Sequence, residues 1–436
     1  MTLWELAEAS ARTLRDRFEE YEVIVGNERE IMLKLANGEP SVTQSWNRYT
    51  ITVYVTKNGK IFQTSLSSTS PGEVLEKLDT ILATLSPSPL YAPLPEPTGQ
   101  DYENTDERVI EIVESGDLSR VSEDLELDQA RNWAGTIRLA REERVLVNSN
   151  KASLHGERTL FNGYMRVFAD EDSSGQWSWT STMYRPDIAK KAVGAAARLA
   201  EECSSLPKRK IESGNYRVLL SPMVAGNLLE VVARSASGGA VLFGFSFFKK
   251  EDLEAIVASE KLTILDKPRD RELPGYSLFD DEGVATRDKP VIEKGVLKNI
   301  LHNSKTAKLF GAKTTGNAGL LMPEPFNLDV APGDLKDDEM LEALGDGLYI
   351  TNNWYTRFQN YPEGLFSTVA RDAVIIVEDG KPVGCTSRVR IADSMRRLLS
   401  NIEGVGATLW QIQWWEVSTP TRLPHILVSN ARITSE

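Results

Sequence analysis

The stretch PGYSLFDDEGVATR (274–287) sets Asp280, Asp281 and Glu282 side by side between Phe279 and Gly283. Three neighbouring carboxylates can hold a metal, move protons, or shape a turn. If the segment is strand-like, successive side chains point to opposite faces, so the three cannot all meet one ion. Gly283 suggests a turn, and aspartates organise turns by bonding nearby backbone N–H groups. The trio is therefore expected to be structural. The histidines, His155, His302 and His425, lie far apart, so no HExxH-type zinc helix exists. His302, with Ser304 nearby, could be imagined as a triad base, but no G-x-S-x-G elbow accompanies it, and a structural polar contact is expected. The glycine stretches GNAG (316–319) and SASGGAVLFG (235–244) match neither the phosphate loop nor the dinucleotide fingerprint.

The elements that must position these residues follow from pattern. With 436 residues the chain exceeds one average core, and two domains are expected. LWELAEASARTLRDRF places Leu3, Leu6, Ala7, Leu14 and Phe18 on one helical face. YTITVYVTKNGKIFQTSLS reads as a hairpin turning at Asn58-Gly59. A helix follows, with Ser70 as the expected cap and Pro71 at its first position. The proline-rich run 86–98 reads as a stiff connector crossing the surface. ERVLVNSN, RTLFNGYMRVFADED and GQWSWTSTMY read as strands with a turn at Ser174-Gly175, before an alanine-rich helix opened by Pro186. Past residue 210 a strand (NYRVLLSP) feeds the apolar helix MVAGNLLEVVARSA, and short glycine-punctuated strands follow. The expected architecture is α+β: an N-terminal domain over 1–210, helix plus hairpin, and a β-rich, mostly antiparallel domain over 211–436.

Bulk properties narrow the partners. A formal net charge of −13 argues against nucleic acid, and the short basic run Lys208, Arg209, Lys210 reads as a solvated linker or edge. Cys203 and Cys385, far apart and without a CxxC pair, suggest no disulfide framework and a reducing compartment. The charged N-terminal helix lacks the core of a signal peptide, and no run of about 18 apolar residues occurs, so a cytoplasmic protein without a membrane partner is expected.

Taken as a whole, residues 274–319 resemble the TldD/PmbA family of two-subunit metalloproteases. The resemblance is carried by Phe279, Asp280, Asp281, Glu282 and Gly283, then Ile292, Gly295 and Leu297, then Thr306, Ala307, Gly311, Thr315, Gly316 and Asn317. ERVLVNSNKASLHGERT, YITNNWYTRFQNYPEGLFSTVARDAVIIVEDGKPVG and RIADSMRRLLSNIEGVG resemble further family segments in the same order, so the likeness covers essentially the whole chain. The resemblance implies a choice between two branches. TldD-like chains carry HExxxH on a helix opening the second domain, with zinc on its histidines, glutamate as general base and a cysteine close to the C-terminus. The PmbA/TldE-like branch keeps the fold and lacks that site. Matching the helix here places Glu230 and Val231 at the first His-Glu pair and Ser235 at the second histidine. Cys385 lies upstream of the family's cysteine, and residues 156–301 contain no histidine.

The implied role is a non-catalytic subunit, with no metal or catalytic residue of its own. It would pair with a zinc-bearing TldD-like protease as a heterodimer and help enclose unfolded peptides. Two other readings stay open: a self-sufficient metallopeptidase or other hydrolase using Asp280, Glu282 and His302, and a homodimeric scaffold or ligand-binding protein. Trp410, Trp414 and Trp415 could be core or an interface anchor, and Trp354 and Tyr355 share that ambiguity. The apolar stripe of the helix 223–236, Met223, Val224, Leu228, Leu229, Val231 and Val232, reads as core.

Overall fold

A computed structural model describes residues 2–125, 132–387 and 389–435. The fold is α+β, and its sheets are mostly antiparallel. The first sheet is built on two long strands, Glu20–Ala36 and Glu39–Lys57, paired along their length and turned at Asn37-Gly38, both with positive φ. Asn58-Gly59, also with positive φ, turns the second strand into Lys60–Leu66, as expected. Strands Asn132–Asn148 and Ser153–Phe168 extend the sheet on the other side, and Tyr102–Asn104 and Ser174–Ser181 pair with the latter.

The N-terminal helix, Leu3–Leu14, opens with a capping box between Thr2 and Glu5. It and Gly72–Thr84 bury Leu6, Leu14 and Leu78 against Val23 and Val53 of the first sheet. Ser70 is not the cap of that second helix: the cap position is Pro71, which has no side chain to bond the free amides. Nor do Ser174 and Gly175 form a turn. The chain reverses at 169–173, and Gly175 lies in a strand where a Cβ would stand 2.2 Å from the Ala196 carbonyl, so glycine there permits close approach of the helix Pro186–Ser205.

Beyond residue 213 two further sheets form. One runs Val296–Leu297, Lys289–Glu293, Ile264–Asp266, Leu328–Val330, Val417–Leu423, Trp410–Trp414. The other runs Gly347–Asn360, Gly214–Leu220, Ile426–Ser435, Val389–Ser394, Leu365–Glu378, Lys381–Thr386, with Ile402–Val405 beside Ile426–Ser435. Between them lies the helix Pro222–Ser235, packed on Gly347–Asn360 and Val417–Leu423. Burial of Leu228, Leu229 and Val232 contributes about 1.5–3 kcal/mol each. One core cluster joins Trp177 and Leu199 of the first half to Met223, Leu228 and Ile412 of the second.

Two expectations about connections need correction. Cys203 and Cys385, separated by 182 positions, form a disulfide with a Cα–Cα distance of 5.3 Å. Sequence separation hid this, because the segment after the helix runs back along the last strand of the third sheet. Cys385 N donates to Pro207 O and Arg209 N to Cys385 O, both at 3.0 Å. Lys208 is accordingly not a freely solvated charge: its Nζ bonds Ser173 Oγ at 2.6 Å and Cys203 O at 3.1 Å. The proline-rich connector is extended, yet it does not merely cross the surface. Ala92 and Leu94 are buried, and Thr98 and Gly99 donate their amides to Gly283 O. Among the described residues, no helix is long and apolar enough to cross a membrane.

Candidate functional site

The acidic loop sends its three carboxylates in three directions. Asp280 Oδ1 accepts the amides of Glu282 (3.0 Å) and Val284 (2.9 Å), and its Oδ2 accepts that of Ala318 (2.9 Å). The turn this closes needs a left-handed residue, supplied by Gly283 with φ +73°. Asp281 reaches the first sheet, pairing with Arg144 Nη1 at 3.0 Å, while the Arg144 guanidinium lies 4.2 Å from the Phe279 ring centroid. Glu282 Oε2 accepts the Ser304 amide (2.8 Å), and its Oε1 accepts Ser304 Oγ (2.6 Å) and Lys305 Nζ (2.9 Å). Both members of the Glu282–Lys305 pair are fully buried. Burial, and then the charge of Glu282, push the Asp280 carboxyl up to about 7. Gly316 makes a left-handed turn, and Asn317 Nδ2 donates to Asp266 Oδ2 (2.6 Å) and Glu324 O (3.0 Å). The signature residues thus meet as a hub of buried hydrogen bonds. The loop carboxylates face backbone amides, hydroxyls and cations, and the Asn317 amide faces a carboxylate and a carbonyl.

His302 does not join the carboxylates. Its Nδ1 bonds Thr306 Oγ1 at 3.1 Å, and burial, reinforced by Lys250, pushes its pKa down to about 4. His425 bonds the Tyr349 hydroxyl at 3.0 Å and is likewise pushed to about 4 by burial, and His155 contacts Glu143 at 3.0 Å. Among the described residues, no three His, Cys, Asp or Glu side chains converge as a ligand set for a metal ion.

The helix Pro222–Ser235 presents a different surface. It starts sharply because Ser221 Oγ accepts the amides of Met223 and Val224 and donates to Thr351 O at 2.6 Å, with Pro222 in the first turn. One face is core, as its apolar stripe suggested. The other, carrying Asn227, Glu230, Val231, Arg234 and Ser235, lines a cleft of about 510 Å³. The stripe reading needs one amendment: Val231 sits on the cleft side, half-buried. Met322, Pro323 and Glu324 form the facing wall, and Phe245, Phe358 and Tyr361 an aromatic rim. Phe245 (58% exposed) and Tyr361 (43% exposed) meet edge to face with centroids 5.8 Å apart.

Glu230 is buried at the base of this cleft and held from several sides. Its Oε1 accepts Ser418 Oγ (2.7 Å), Thr419 N (2.9 Å), Thr419 Oγ1 (2.8 Å) and Arg234 Nε (3.2 Å), and its Oε2 accepts Ser418 N (3.2 Å). A zinc ion does not fit here. Val231 offers no donor atom, Ser235 offers only a neutral hydroxyl, and the carboxylate is already engaged by five donors. Zinc chemistry is therefore not assigned to these residues.

Sequence reasoning found the helix and missed its surroundings. Phe245, Tyr361 and Glu416 come from separate segments with no shared motif, and only the fold assembles them around the helix. The tryptophans divide. Trp410 and Trp414 are buried in the second sheet, whereas Trp415 is 53% exposed. Trp354 is half-buried beneath Arg371, at 4.7 Å, and Tyr355 is exposed.

Comparison with known proteins agrees with this architecture. Residues 213–435 match the PmbA/TldA metallopeptidase C-terminal domain, and residues 21–85 match PmbA/TldA metallopeptidase domain 1. A metalloprotease of Methanocaldococcus jannaschii is 27% identical over 275 residues, 60% of each chain. Metalloprotease PmbA of Escherichia coli O157:H7 is 28% identical over 243 residues, 55% of this chain and 52% of that one. The matches thus span about half to three fifths of these relatives' lengths. A crystal structure from Thermotoga maritima superimposes with a TM-score of 0.82 at 23% identity, covering 99% of this chain and all of the other. TldE from Thermococcus kodakarensis gives 0.82 at 18% identity over the full length of both. The chain belongs to the PmbA/TldD metallopeptidase family.

Proposed function

We propose that the chain is a PmbA/TldE-like, non-catalytic subunit that pairs with a TldD-like zinc protease and helps enclose unfolded peptides for cleavage. The observation that carries this reading is the state of Glu230, an engaged carboxylate in an open cleft beside Val231. The helix keeps its place and its cleft while offering no open ligand set. The partner's zinc would polarise the scissile carbonyl and activate water. This chain would supply walls and hold extended substrate. The outer edge of Gly347–Asn360 suits that task. The strand Gly214–Leu220 pairs with it only across Leu348–Ile350; Asn352 and Asn353 are fully buried and the Tyr355 amide is taken by Glu416, so from Thr356 onward, beside the cleft, no strand among the described residues covers that edge. An extended peptide can add there through main-chain hydrogen bonds, with little sequence selectivity.

The acidic loop supports no rival metal centre. Asp280 and Glu282 already accept three donors each, and His302 is directed to Thr306. On this reading the domain boundary falls at 210/211 and the complex works in the cytoplasm, a location that the Cys203–Cys385 disulfide deprives of its cysteine argument. The test is to purify the chain alone and together with an HExxxH-bearing relative. The expected result is less than about a tenth of an equivalent of zinc in the chain alone, and peptidase activity only with the relative present. Zinc-dependent peptide hydrolysis by this chain alone would overturn the proposal, and a stable homodimer that ignores the relative would move the reading to a scaffold.

A further inference from the structure

A second cavity, of about 390 Å³, adjoins the cleft, and Arg234 and Glu324 line both. Its floor is the face of the first sheet, which contributes Arg138, Arg144 and Arg158, and Arg234 closes it toward the cleft. Four guanidinium groups therefore line one small space where the two halves of the chain meet.

Each guanidinium is oriented by partners of its own. Arg138 reaches Glu28 through Nη2 (2.5 Å) and Glu30 through Nε (2.8 Å). Arg158 is held by Glu142 and by Tyr276 O, and Arg234 by Glu230 and Ser418 Oγ. Arg144 spends Nη1 on Asp281 and Nη2 on Ser277 Oγ and Phe279 O, while its buried Nε has no partner. Glu142, Asp281 and Glu324 line the same cavity and offset these charges, so long-range attraction is weak. What the cavity offers is a set of fixed N–H donors beyond those already bonded, and a guanidinium fork matches the two oxygens of a carboxylate.

We propose that this cavity receives the C-terminal carboxylate of an extended peptide whose preceding residues lie in the cleft along Pro222–Ser235. The inference rests on the peptide-holding role proposed above and adds direction to it: the chain captures free C-terminal ends. A chain terminus is the one carboxylate that an extended peptide in the cleft always presents at its end, whatever its side chains, and a cavity of this volume takes a terminal residue but not a folded segment. Terminal carboxylate capture by fixed N–H groups is an established recognition mode.

The experiment uses the full-length chain and a fluorescein-labelled decapeptide of Gly, Ala, Leu and Phe, made once with a free C-terminal acid and once as the amide. Fluorescence anisotropy gives both affinities. The acid is expected to bind about ten-fold more tightly. Arg138→Gln, at a residue that lines the arginine cavity but not the cleft, is expected to remove that discrimination while leaving the affinity for the amide unchanged, and Arg158→Gln is the second variant should the first fail to fold. Equal binding of acid and amide would overturn carboxylate capture and leave the peptide-holding role standing. Binding of neither peptide would overturn both. A variant that weakens acid and amide alike would show Arg138 to be only structural and would overturn its assignment here.

Discussion

The acidic loop and the cleft-lining helix lie in the same half of the molecule and use carboxylates for opposite ends. In the loop, Asp280 and Glu282 are buried and engaged by amides, hydroxyls and Lys305, and nothing is left for a ligand. On the helix, Glu230 is engaged too, but it forms the floor of a cleft whose rim is exposed and aromatic. A conspicuous sequence signature here marks architecture, whereas the surface suited to binding has no signature. Side chains that define a fold must be specified together, while a binding surface can be assembled from segments that share only their final position.

The sharpest way to test that contrast is to remove the hub's buried anion. Glu282→Ala leaves the Lys305 ammonium buried without its partner and frees the first amide of the helix Ser304–Phe310. The expected loss is about 3–5 kcal/mol in urea denaturation. A loss below about 1 kcal/mol would place Glu282 outside the architecture and reopen a functional role for the trio. Glu230→Ala is expected to cost less, about 1–3 kcal/mol, because Ser418 and Arg234 lie near solvent and can be rehydrated. Were the two losses equal, the cleft helix would be as much a structural keystone as the loop.

Much of the first region was legible and little of the second. Gly283 three residues after Asp280 specifies a turn whatever surrounds it, and Asn58-Gly59 specifies a hairpin. The same dipeptide at Asn37-Gly38 went unread because charged residues such as Glu28, Arg29, Glu30 and Arg48 break the alternation of the flanking strands. In the fold those charges pair across neighbouring strands, Arg138 with Glu28 and Glu30, and Arg48 with both. Period-two patterning fails when a sheet face is lined by ion pairs instead of apolar side chains. The disulfide failed for a related reason, since contact between the two halves is not a local property. The family resemblance located the cleft helix at Glu230, Val231 and Ser235, but neither it nor any spacing pointed to Phe245, Tyr361 or the arginine cavity.

Glu22 provides a finer probe of the hub. It lies in the first sheet facing Glu282, Lys305 and Asp281, accepts Asn148 Nδ2 at 3.1 Å, and has one buried oxygen without a partner. Burial raises its carboxyl well above the ordinary range. A carboxyl whose pKa is higher in the folded state stabilises the fold at low pH, and that contribution is lost as pH rises through the folded value. Glu22→Gln is therefore expected to stabilise the protein at pH 8 by on the order of 1 kcal/mol and to change nothing at pH 4. An equal effect at both values would show that hydrogen bonding at this position, and not charge, decides the matter.

The smallest change in stability is expected at the cleft rim, where the contrast predicts a separation of two readouts. Phe245 and Tyr361 are exposed and touch each other, so Phe245→Ala removes little buried area and should shift unfolding by less than about 0.5 kcal/mol. If the rim holds peptide, the same substitution removes an exposed ring from the binding surface and should weaken decapeptide affinity about ten-fold. The hub variant Glu282→Ala should do the reverse, losing stability while any folded fraction binds as before. A Phe245→Ala protein that kept full affinity would move peptide binding away from the aromatic rim and onto the strand edge from Thr356 onward, where main-chain groups alone would hold the ligand.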